Sequence, residues 1–395
     1  MIDFPASPTV GQQFTAAGVT WTWDGHKWTA SGLSVAYLPL AGGTMLGPIA
    51  LSADPAAAMQ PVTLQYFNAR PMIGDNRIIN GDMRIDQRNA GASGTVNGYT
   101  CDRWGFGSSP TGKGTWQRQT GGASTTTAFT GTPYFLNFTS NSAYVAAAAD
   151  FYDFYQAIEA DQVSDFAWGT PQAQPVTLSF WVYTSLTGTF SGSIRNFAGT
   201  RSYPFAYSIP AANTWTKLVI NIPGDTGGLW TMTGNAGSMY LIFDLGSGAN
   251  ARGTANAWAT TTAPGYTGVT GSQSIVAVNG ASFTFTGVKL EIGSVATPYN
   301  RQSLAKSLAD CQRYYQNSEI LAAGYQIASQ TPYCSTNFPV TMRAAPTLAI
   351  LTNHCSNITT PALGSIQTSG LYLSGVLTAT GTFVLDCVYS ASAEI

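Results

Sequence analysis

The sequence predicts a mainly β protein whose largest part is an antiparallel jelly-roll sandwich, and three observations support this. Short segments rich in β-branched and aromatic residues recur between Gly, Ser, Thr and Asn turns from about residue 74 onward. Only 9% of the 395 residues are charged while 44% are hydrophobic, which is not the composition of a disordered chain. No repeat of the kind that builds a β-helix is present.

Residues 1–33 predict a small β unit that ends in a tryptophan hairpin. In the segment TWTWDGHKWTA, Trp21 and Trp23 share one face of a strand, an Asp-Gly pair favours a turn, and Trp28 lies on the return strand. A lone hairpin is marginal in water. The hairpin therefore needs support from the rest of the chain, an identical subunit or another protein, and we expect the three tryptophans to form a self-contained aromatic mini-core.

Residues 34–73 predict a narrow neck. Leucine-bearing strands broken by Gly and Pro are too short to bury their own side chains. A helix is expected over residues 54–70, with Asp54 as its N-cap and Pro55 at its first position. Three copies around one axis would hide one another's leucines, which favours a homotrimer. The alternative is a helix docked on its own domain.

Residues 74–302 are expected to form the jelly-roll sandwich, and residues 303–395 a helix followed by a C-terminal β domain. The helix is predicted from SLAKSLADCQRYYQ, residues 303–316, with Ser303 as its cap. Its apolar stripe, at helical spacing, comprises Leu304, Leu308, Cys311 and Tyr315.

Charge and cysteine usage narrow the class of partner and compartment. The formal net charge is −2 and the Lys and Arg residues are unclustered, which argues against nucleic acid as a partner. No apolar run approaches membrane-spanning length, and the first residues do not resemble a secretory signal. The five scattered cysteines are interpreted as small buried hydrophobes of a protein made in a reducing cytoplasm, with metal binding through His354 and Cys355 less favoured.

Recognisable catalytic patterns are missing from the sequence. There is no Gly-x-Ser-x-Gly elbow and no phosphate loop, and His26 and His354 are the only histidines. The stretch DFYDFYQAIEADQVSDFAWG holds carboxylates that could hydrolyse glycans in pairs. We interpret it as a strand followed by a loop with solvated acids, and we expect no enzymatic activity.

Several segments resemble the tail-fibre and receptor-binding proteins of tailed bacteriophages. YLPLAGGTMLGPIALSADPAAAMQPVTLQYFNA is similar to a fibre repeat that leads into a short helix. RIINGDMRIDQR with YTCDRWGF, and VKLEIGSVATPYNRQSLAKSLADCQRYYQ with FPVTMRAAPT, resemble the opening and the end of a phage jelly-roll module of the carbohydrate-binding type. FPASPTVGQQFTAAGVTWTWDGHKWTA resembles a leader common at the front of such fibres. Departures are that one repeat is present rather than a long series, and that no intramolecular chaperone domain is evident.

The resemblance implies a homotrimeric virion appendage on the phage tail, made in the host cytoplasm. Its expected partners are a tail or baseplate protein, bound through Trp21, Trp23 and Trp28, and host surface polysaccharide or lipopolysaccharide. Aromatic and polar side chains outside obvious strands are the glycan candidates, with those of the C-terminal domain slightly favoured because fibre tips usually carry recognition. These candidates are Trp230, Trp258, Tyr266, Tyr325, Tyr333, Asn353, His354 and Tyr372.

Such modules often hold a structural calcium ion near their first and last strands. Asn80, Asp82 and Glu291 occupy the corresponding segments and carry oxygen ligands. The favoured interpretation is that they are ordinary turn and cap residues and that no cofactor is needed.

The sequence therefore predicts a non-enzymatic tail fibre that attaches to glycan on the host cell surface. One alternative is a glycan-degrading tailspike, and another is a structural baseplate or head decoration protein without a receptor.

Overall fold

The structure is a computed structural model, and it describes residues 3–16, 18–31, 75–121 and 130–395. These residues fall into two compact units, residues 3–31 and residues 75–395. The predicted neck, residues 34–73, lies outside the described residues together with its predicted helix over 54–70.

The first unit is a three-stranded antiparallel sheet that contains the predicted hairpin. Its strands are β1 (Gln13–Ala16), β2 (Val19–Trp23) and β3 (Trp28–Ser31), in the order β1-β2-β3. Trp23 pairs with Trp28, so the connection has four residues rather than the two of a tight Asp-Gly turn. The Asp24 carboxylate accepts hydrogen bonds from the backbone N–H groups of Lys27 (2.8 Å) and His26 (2.9 Å), which close this longer turn.

The aromatic mini-core of this unit has a member that the sequence did not reveal. The Phe4 ring lies 5.4 Å from both Trp21 and Trp28 and 5.5 Å from Phe14, measured between ring centroids. The Trp23 and Trp28 rings are 5.7 Å apart. All five rings are half-buried. Phe4 therefore covers one face of the sheet from the irregular segment that precedes β1.

The second unit contains the predicted antiparallel β-sandwich. A seven-stranded sheet has the order β15-β11-β10-β13-β8-β5-β4, and a five-stranded sheet has the order β12-β9-β17-β7-β6. The strands are β4 (Gly98–Cys101), β5 (Trp104–Ser109), β6 (Gly114–Thr120), β7 (Tyr134–Ser140), β8 (Phe151–Glu159), β9 (Val176–Thr184), β10 (Gly188–Asn196), β11 (Arg201–Ile209), β12 (Thr216–Ile222), β13 (Gly237–Asp244), β14 (Arg252–Gly253), β15 (Ala259–Thr260), β16 (Gly268–Val269) and β17 (Ser282–Ile292). β14 and β16 form a short parallel ladder of their own, and 3-10 turns lie at Ala160–Gln162, Ser164–Phe166 and Ala249–Ala251.

Alternation along the strands decides which side chains fill the sandwich. Phe154 of β8 and Phe180 of β9 are fully buried in the core between the two sheets. Phe243 and Phe285 meet across that core with ring centroids 4.6 Å apart. Successive side chains of a strand alternate between its two faces. Asp153, which directly precedes Phe154 on β8, therefore points to the outer face of its sheet.

The C-terminal β domain preceded by one helix is also present. The helix α1 (Leu304–Gln312) begins as predicted, because the Ser303 hydroxyl accepts a hydrogen bond from the Lys306 N–H. The strands that follow are β18 (Tyr315–Gln326), β19 (Tyr333–Asn337), β20 (Thr347–Asn353), β21 (Ile358–Ile366), β22 (Gly370–Leu377) and β23 (Gly381–Ser392). They form two three-stranded sheets, in the orders β18-β23-β20 and β19-β22-β21.

The helix differs from its prediction in length and in the face that it buries. It ends at Gln312, and Tyr315, which was placed on its apolar stripe, begins β18 instead. The cause is the intervening Tyr314, whose hydroxyl donates a 2.5 Å hydrogen bond to the buried Glu159 and draws the chain away from the helix axis. Leu304 is 59% exposed, whereas Cys311 is buried as predicted. In the described part of the chain, no helix has the length and apolar character needed to cross a membrane.

Ion pairs join the sandwich to the terminal domain within the second unit. The sandwich and the terminal domain each have their own hydrophobic core. Glu394, near the end of the chain, contacts Arg103 of the sandwich and lies 2.7 Å from Arg88. Arg313 and Glu159 form a second link at 2.5 Å. Since Arg103 is 1% exposed, its pairing with Glu394 satisfies a charge that would otherwise be costly to bury.

Candidate functional site

The outer face of the seven-stranded sheet carries a cleft of about 620 Å³. β8 supplies Phe151 and Asp153 to its lining and β10 supplies Arg195. The segment 261–267 forms a wall and contributes Tyr266. This volume lies within the range of sites that bind small molecules.

Tyr266 is held in place by the chain around it. Its ring lies so close to Gly253 that a Cβ atom there would be 2.5 Å from the ring, so this position requires glycine. The Tyr266 N–H donates to the Ser202 hydroxyl (3.2 Å), and the N–H of Thr267 donates to the Ala251 carbonyl (2.8 Å). A half-buried aromatic ring is thereby fixed in the wall of the cleft.

Asp153 is a buried carboxylate with no direct partner in residues 75–121 and 130–395. It is 5% exposed, and neither a hydrogen bond nor an ion pair engages its side chain within those residues. Gly107 on the neighbouring strand makes room for it, since a Cβ atom there would lie 2.9 Å from the carboxylate. Burial raises the pKa of the Asp153 carboxyl to about 7, with Arg195 acting in the opposite direction.

Arg195 presents a second charged group with unused bonding capacity. Its guanidinium lies 4.9 Å from the centroid of the Tyr240 ring, a cation–π arrangement. Its Nε is buried and has no hydrogen-bond partner among the described residues, and the same holds for the hydroxyl of Ser193, two residues earlier on the strand. Burial lowers the pKa of Arg195. One face of β10 therefore carries two buried polar groups that lack partners.

The cleft thus combines aromatic rings with a hydrogen-bond acceptor and a donor. Phe151 and Tyr266 supply apolar surface, Asp153 accepts, and Arg195 donates. Buried polar groups are normally paired, so the unused bonding capacity of Asp153 and Arg195 in this cleft suits a polar ligand or ordered water.

Of the residues predicted to bind glycan, Tyr266 is the one that lies in this cleft. Trp230 and Trp258 instead pack against the buried Trp168, with ring centroids 4.9 Å and 5.1 Å from it. Their indole N–H groups donate to Asp225 and to the Pro223 carbonyl, each at 2.9 Å. These two tryptophans are therefore held together as a packed, half-buried cluster with both N–H groups already used.

The candidates in the terminal domain lie on two different sheets. Tyr333 and Tyr372 share the outer face of the β19-β22-β21 sheet, and Tyr333 is 76% exposed. The Tyr372 ring covers Gly364, where a Cβ atom would lie 2.1 Å from it. Tyr325 lies on the other sheet, as does Asn353, and His354 follows immediately after. The structure therefore brings the two tyrosines of the first pair together but does not unite all five residues.

The acidic stretch that begins on β8 contains exposed carboxylates, as predicted, and buried carboxylates, which were not predicted. Asp161 and Asp165 are exposed, as the interpretation of solvated acids requires. Asp153 and Glu159 are buried instead, Glu159 because it bonds to Arg313 and Tyr314 of the terminal domain. Sequence reasoning missed Asp153, Phe151 and Arg195 as site residues. The available signal was an aspartate inside a run of aromatic strand residues, DFYDFYQAI.

The predicted calcium ligand Asn80 is engaged by the backbone around it. Its side-chain oxygen accepts from the Ile85 N–H (2.9 Å), and its amide donates to the carbonyls of Ile85 (2.8 Å) and Asp102 (2.9 Å). Its backbone φ of 55° is also typical of a turn asparagine. Asn80 therefore organises a turn.

The other two predicted ligands also have partners within the protein. Glu291 is fully buried, lies 3.1 Å from Lys289, and accepts from the Thr297 N–H (2.8 Å) and hydroxyl (2.6 Å). Asp82 lies 3.6 Å from Arg84. Neighbouring cations and used oxygens do not fit a shared calcium ion. Among the described residues, no group of three or more His, Cys, Asp or Glu side chains could hold a metal.

No protein-family model matches the sequence, and no curated protein matches it. Among solved structures, 55% of the chain is similar to 21% of the enzymatically active domain of tailspike protein 4 from bacteriophage CBA120, with 13% identity and a TM-score of 0.30.

Carbohydrate-binding modules are also among the similar structures. The family 22 module of Clostridium thermocellum Xyn10B matches 49% of this chain over 89% of its own length, with 12% identity and a TM-score of 0.27. The family 11 module of the C. thermocellum cellulase Lic26A-Cel5E matches 54% of this chain over its whole length, with 10% identity and a TM-score of 0.24.

Proposed function

We propose that this protein is a bacteriophage tail fibre that attaches to glycan on the host cell surface through the cleft on its sandwich. The fibre-repeat segment YLPLAGGTMLGP and the leader FPASPTVGQQF support the assignment to a tail fibre. The observation that carries glycan binding is a single cleft in which the buried Asp153 and the half-buried Arg195 keep unused hydrogen-bonding capacity beside the fixed Tyr266 ring.

Sugars match this combination of groups. Each hydroxyl both donates and accepts, so a pair of hydroxyls can donate to Asp153 while accepting from Arg195. Bonds to charged groups contribute roughly 1.5–3 kcal/mol each. The apolar C–H face of the sugar would lie against Tyr266 or Phe151. In the free protein, water in the cleft would take the place of these hydroxyls.

Homotrimeric assembly would strengthen a weak single site. Three linked copies, and several fibres on one virion, raise avidity without any new contact. The low proportion of charged residues, 9%, also limits nonspecific electrostatic adhesion. Light scattering tests the trimer directly, because the proposal expects three times the chain mass of 41.6 kDa.

Attachment to the virion would fall to residues 1–33 and their three tryptophans. Deleting these residues should leave a soluble trimer that fails to join phage tails. Tails that still incorporate the truncated protein would assign docking to another region.

Binding to cells tests the receptor role. Fluorescently labelled protein is incubated with a panel of bacterial strains, alongside Arg195→Met and the matched control Lys217→Met, an exposed cation on the other sheet. We expect the protein and the control to label some strains and Arg195→Met to lose that labelling. Absence of labelling on every strain that the phage infects would favour a baseplate or head decoration role.

A glycan-degrading tailspike is the second candidate, and the pKa of Asp153 near 7 is the observation in its favour, since general acids of glycosidases have raised pKa values. Glycoside hydrolysis usually needs two carboxylates. Asp153 is the one carboxylate among the described residues that line the cleft. The nearby Asp244 is paired with Arg252 at 2.9 Å. Release of oligosaccharides from purified capsule or lipopolysaccharide would establish the enzyme, whereas binding without release supports the fibre.

A further inference from the structure

Two thiols in the terminal domain lie next to each other. The sulfur atoms of Cys355 and Cys387 are 3.7 Å apart, and both cysteines are free. Cys387 lies on β23 and is fully buried, whereas Cys355, in the connection between β20 and β21, is half-buried. One member of the pair is therefore accessible from solvent and the other is protected.

The backbone fixes the position of Cys355 against β23. On one side of it the His354 N–H donates to the Asp386 carbonyl at 2.9 Å. On the other side Ser356 pairs with Val384 through two hydrogen bonds of 2.9 Å and 3.0 Å. The Asp386 N–H also donates to the Cys355 sulfur at 3.4 Å. Because both neighbours are held, the thiol remains beside its partner.

We propose that Cys355 and Cys387 are a modification site that forms an intrachain disulfide when the protein meets a peroxide. The Cys355 thiolate attacks a peroxide oxygen, the O–O bond breaks, and the products are a sulfenic acid on Cys355 and water or an alcohol. The Cys387 sulfur then attacks the sulfenic sulfur, and the hydroxyl leaves as water with the proton of the Cys387 thiol. Two thiols are oxidised and one peroxide is reduced.

The geometry needs only a small change. A disulfide joins its sulfurs at about 2.05 Å, so the two atoms must approach by rotation of their side chains from 3.7 Å. Burial raises the pKa of Cys387 to about 12. Its burial keeps Cys387 away from solvent peroxide, and its contact with Cys355 leaves it the second step, in which it gives up its proton as it attacks.

The remaining cysteines are placed differently. Cys101 and Cys311 are fully buried in the sandwich and at the helix, away from solvent oxidants. Cys334 lies on β19, in the other sheet of the terminal domain, and is half-buried. It provides a matched control. The disulfide would close a loop of 32 residues that contains β21, β22 and the first part of β23, and would restrict that loop in the unfolded chain.

The experiment treats the full-length protein with hydrogen peroxide and counts thiols after denaturation. We expect the titratable thiols to fall from five to three, the intact mass to drop by two hydrogens, and a peptide map to join Cys355 to Cys387. Cys334→Ser should still form the crosslink, and Cys355→Ser should not. The oxidised protein should melt at a higher temperature than the reduced protein, and dithiothreitol should reverse the shift.

Three results would overturn the proposal: five free thiols after treatment, a sulfinic acid on Cys355 without any crosslink, or a crosslink that joins Cys334 to either cysteine of the pair. Cys387→Ala, which keeps the buried position apolar, guards against misfolding as the explanation and should leave Cys355 as an isolated sulfenic acid that a dimedone probe captures.

Discussion

The cleft on the sandwich and the tyrosine-bearing sheet of the terminal domain differ in how they hold their polar groups. In the cleft, Asp153 is 5% exposed and has no direct partner among the described residues. On the terminal sheet, Tyr333 is 76% exposed and its hydroxyl is free to bond with water. Both regions offer aromatic surface, but only the cleft holds charges in a state that is costly without a ligand or ordered water.

This difference indicates where a ligand would act. An exposed tyrosine carries little cost and therefore says little about binding. A buried charge without a partner lowers the stability of the fold, so its presence needs a reason. The buried Asp153 therefore favours the cleft over the terminal sheet as the place where a ligand would bind.

The ion pair between Arg103 of the sandwich and Glu394 of the terminal domain should be the most sensitive feature. Arg103→Met leaves the buried Glu394 without one of its two cations, and we expect a loss of about 3–5 kcal/mol in the free energy of unfolding. The exposed pair of Lys306 and Asp310 is the contrast, and Lys306→Met should cost about 0.5 kcal/mol or less. Urea unfolding measures both, and equal losses would refute the importance of the buried link.

Burial of the ionised Asp153 carboxylate costs free energy, and this cost should make the stability of the protein depend on pH. Its folded pKa of about 7 lies above the ordinary value of 3.8, so its favourable contribution is present below pH 3.8 and is lost as the pH rises to about 7. Asp153→Asn removes that loss. We expect the free energy of unfolding of the variant to increase relative to that of the native protein as the pH rises through this window. The difference should reach up to about 4 kcal/mol at pH 8. Thermal unfolding from pH 4 to pH 8 measures the gain.

An exposed aspartate supplies the control for this pH experiment. Asp75 lies at the surface, so Asp75→Asn should follow the native protein at every pH. A difference between Asp153→Asn and the native protein that stays constant from pH 4 to pH 8 would show that the carboxyl does not titrate in this window.

Tryptophans of the packed cluster should affect stability rather than binding. Trp258→Ala removes ring contacts with Trp168 and Tyr203 at 5.1 Å and 5.0 Å and loses the hydrogen bond to Pro223. We expect a loss of about 2–3 kcal/mol, since the side chain is only half-buried. Glycan labelling of cells by the folded variant should be unchanged. Loss of labelling without loss of stability would indicate instead that Trp258 binds glycan.

The smallest effects should come from the exposed tyrosines. Tyr333→Ala removes a side chain that is largely in water, so we expect a change within about 0.5 kcal/mol. Tyr372→Ala should cost more, because its ring covers Gly364. Urea unfolding of both single variants tests this ranking.

The local features of the fold could be predicted from the sequence, while the site depended on distant contacts. Alternation and turn residues sufficed for the sandwich strands, and Ser303 marked the start of the helix. The helix end could not be predicted, because Tyr314 leaves the helical path for Glu159, which is 155 residues earlier. Asp153 and Arg195 meet at one cleft only through the order β10-β13-β8, which no local pattern contains. Tyr266 is the predicted glycan candidate that lines the cleft, and its signal in the sequence was an aromatic residue directly after Pro264 and Gly265.

The most direct test of the account compares the two regions on one glycan array. Native protein, Arg195→Met and the double variant Tyr333→Ala/Tyr372→Ala are applied to bacterial surface glycans, and affinities are measured for each glycan bound. If the cleft binds the glycan, Arg195→Met should lose affinity roughly 10- to 100-fold, because one charge-assisted bond is lost, and the double variant should keep native affinity. Native affinity for Arg195→Met together with loss in the double variant would contradict glycan binding by the cleft and would assign recognition to the terminal sheet.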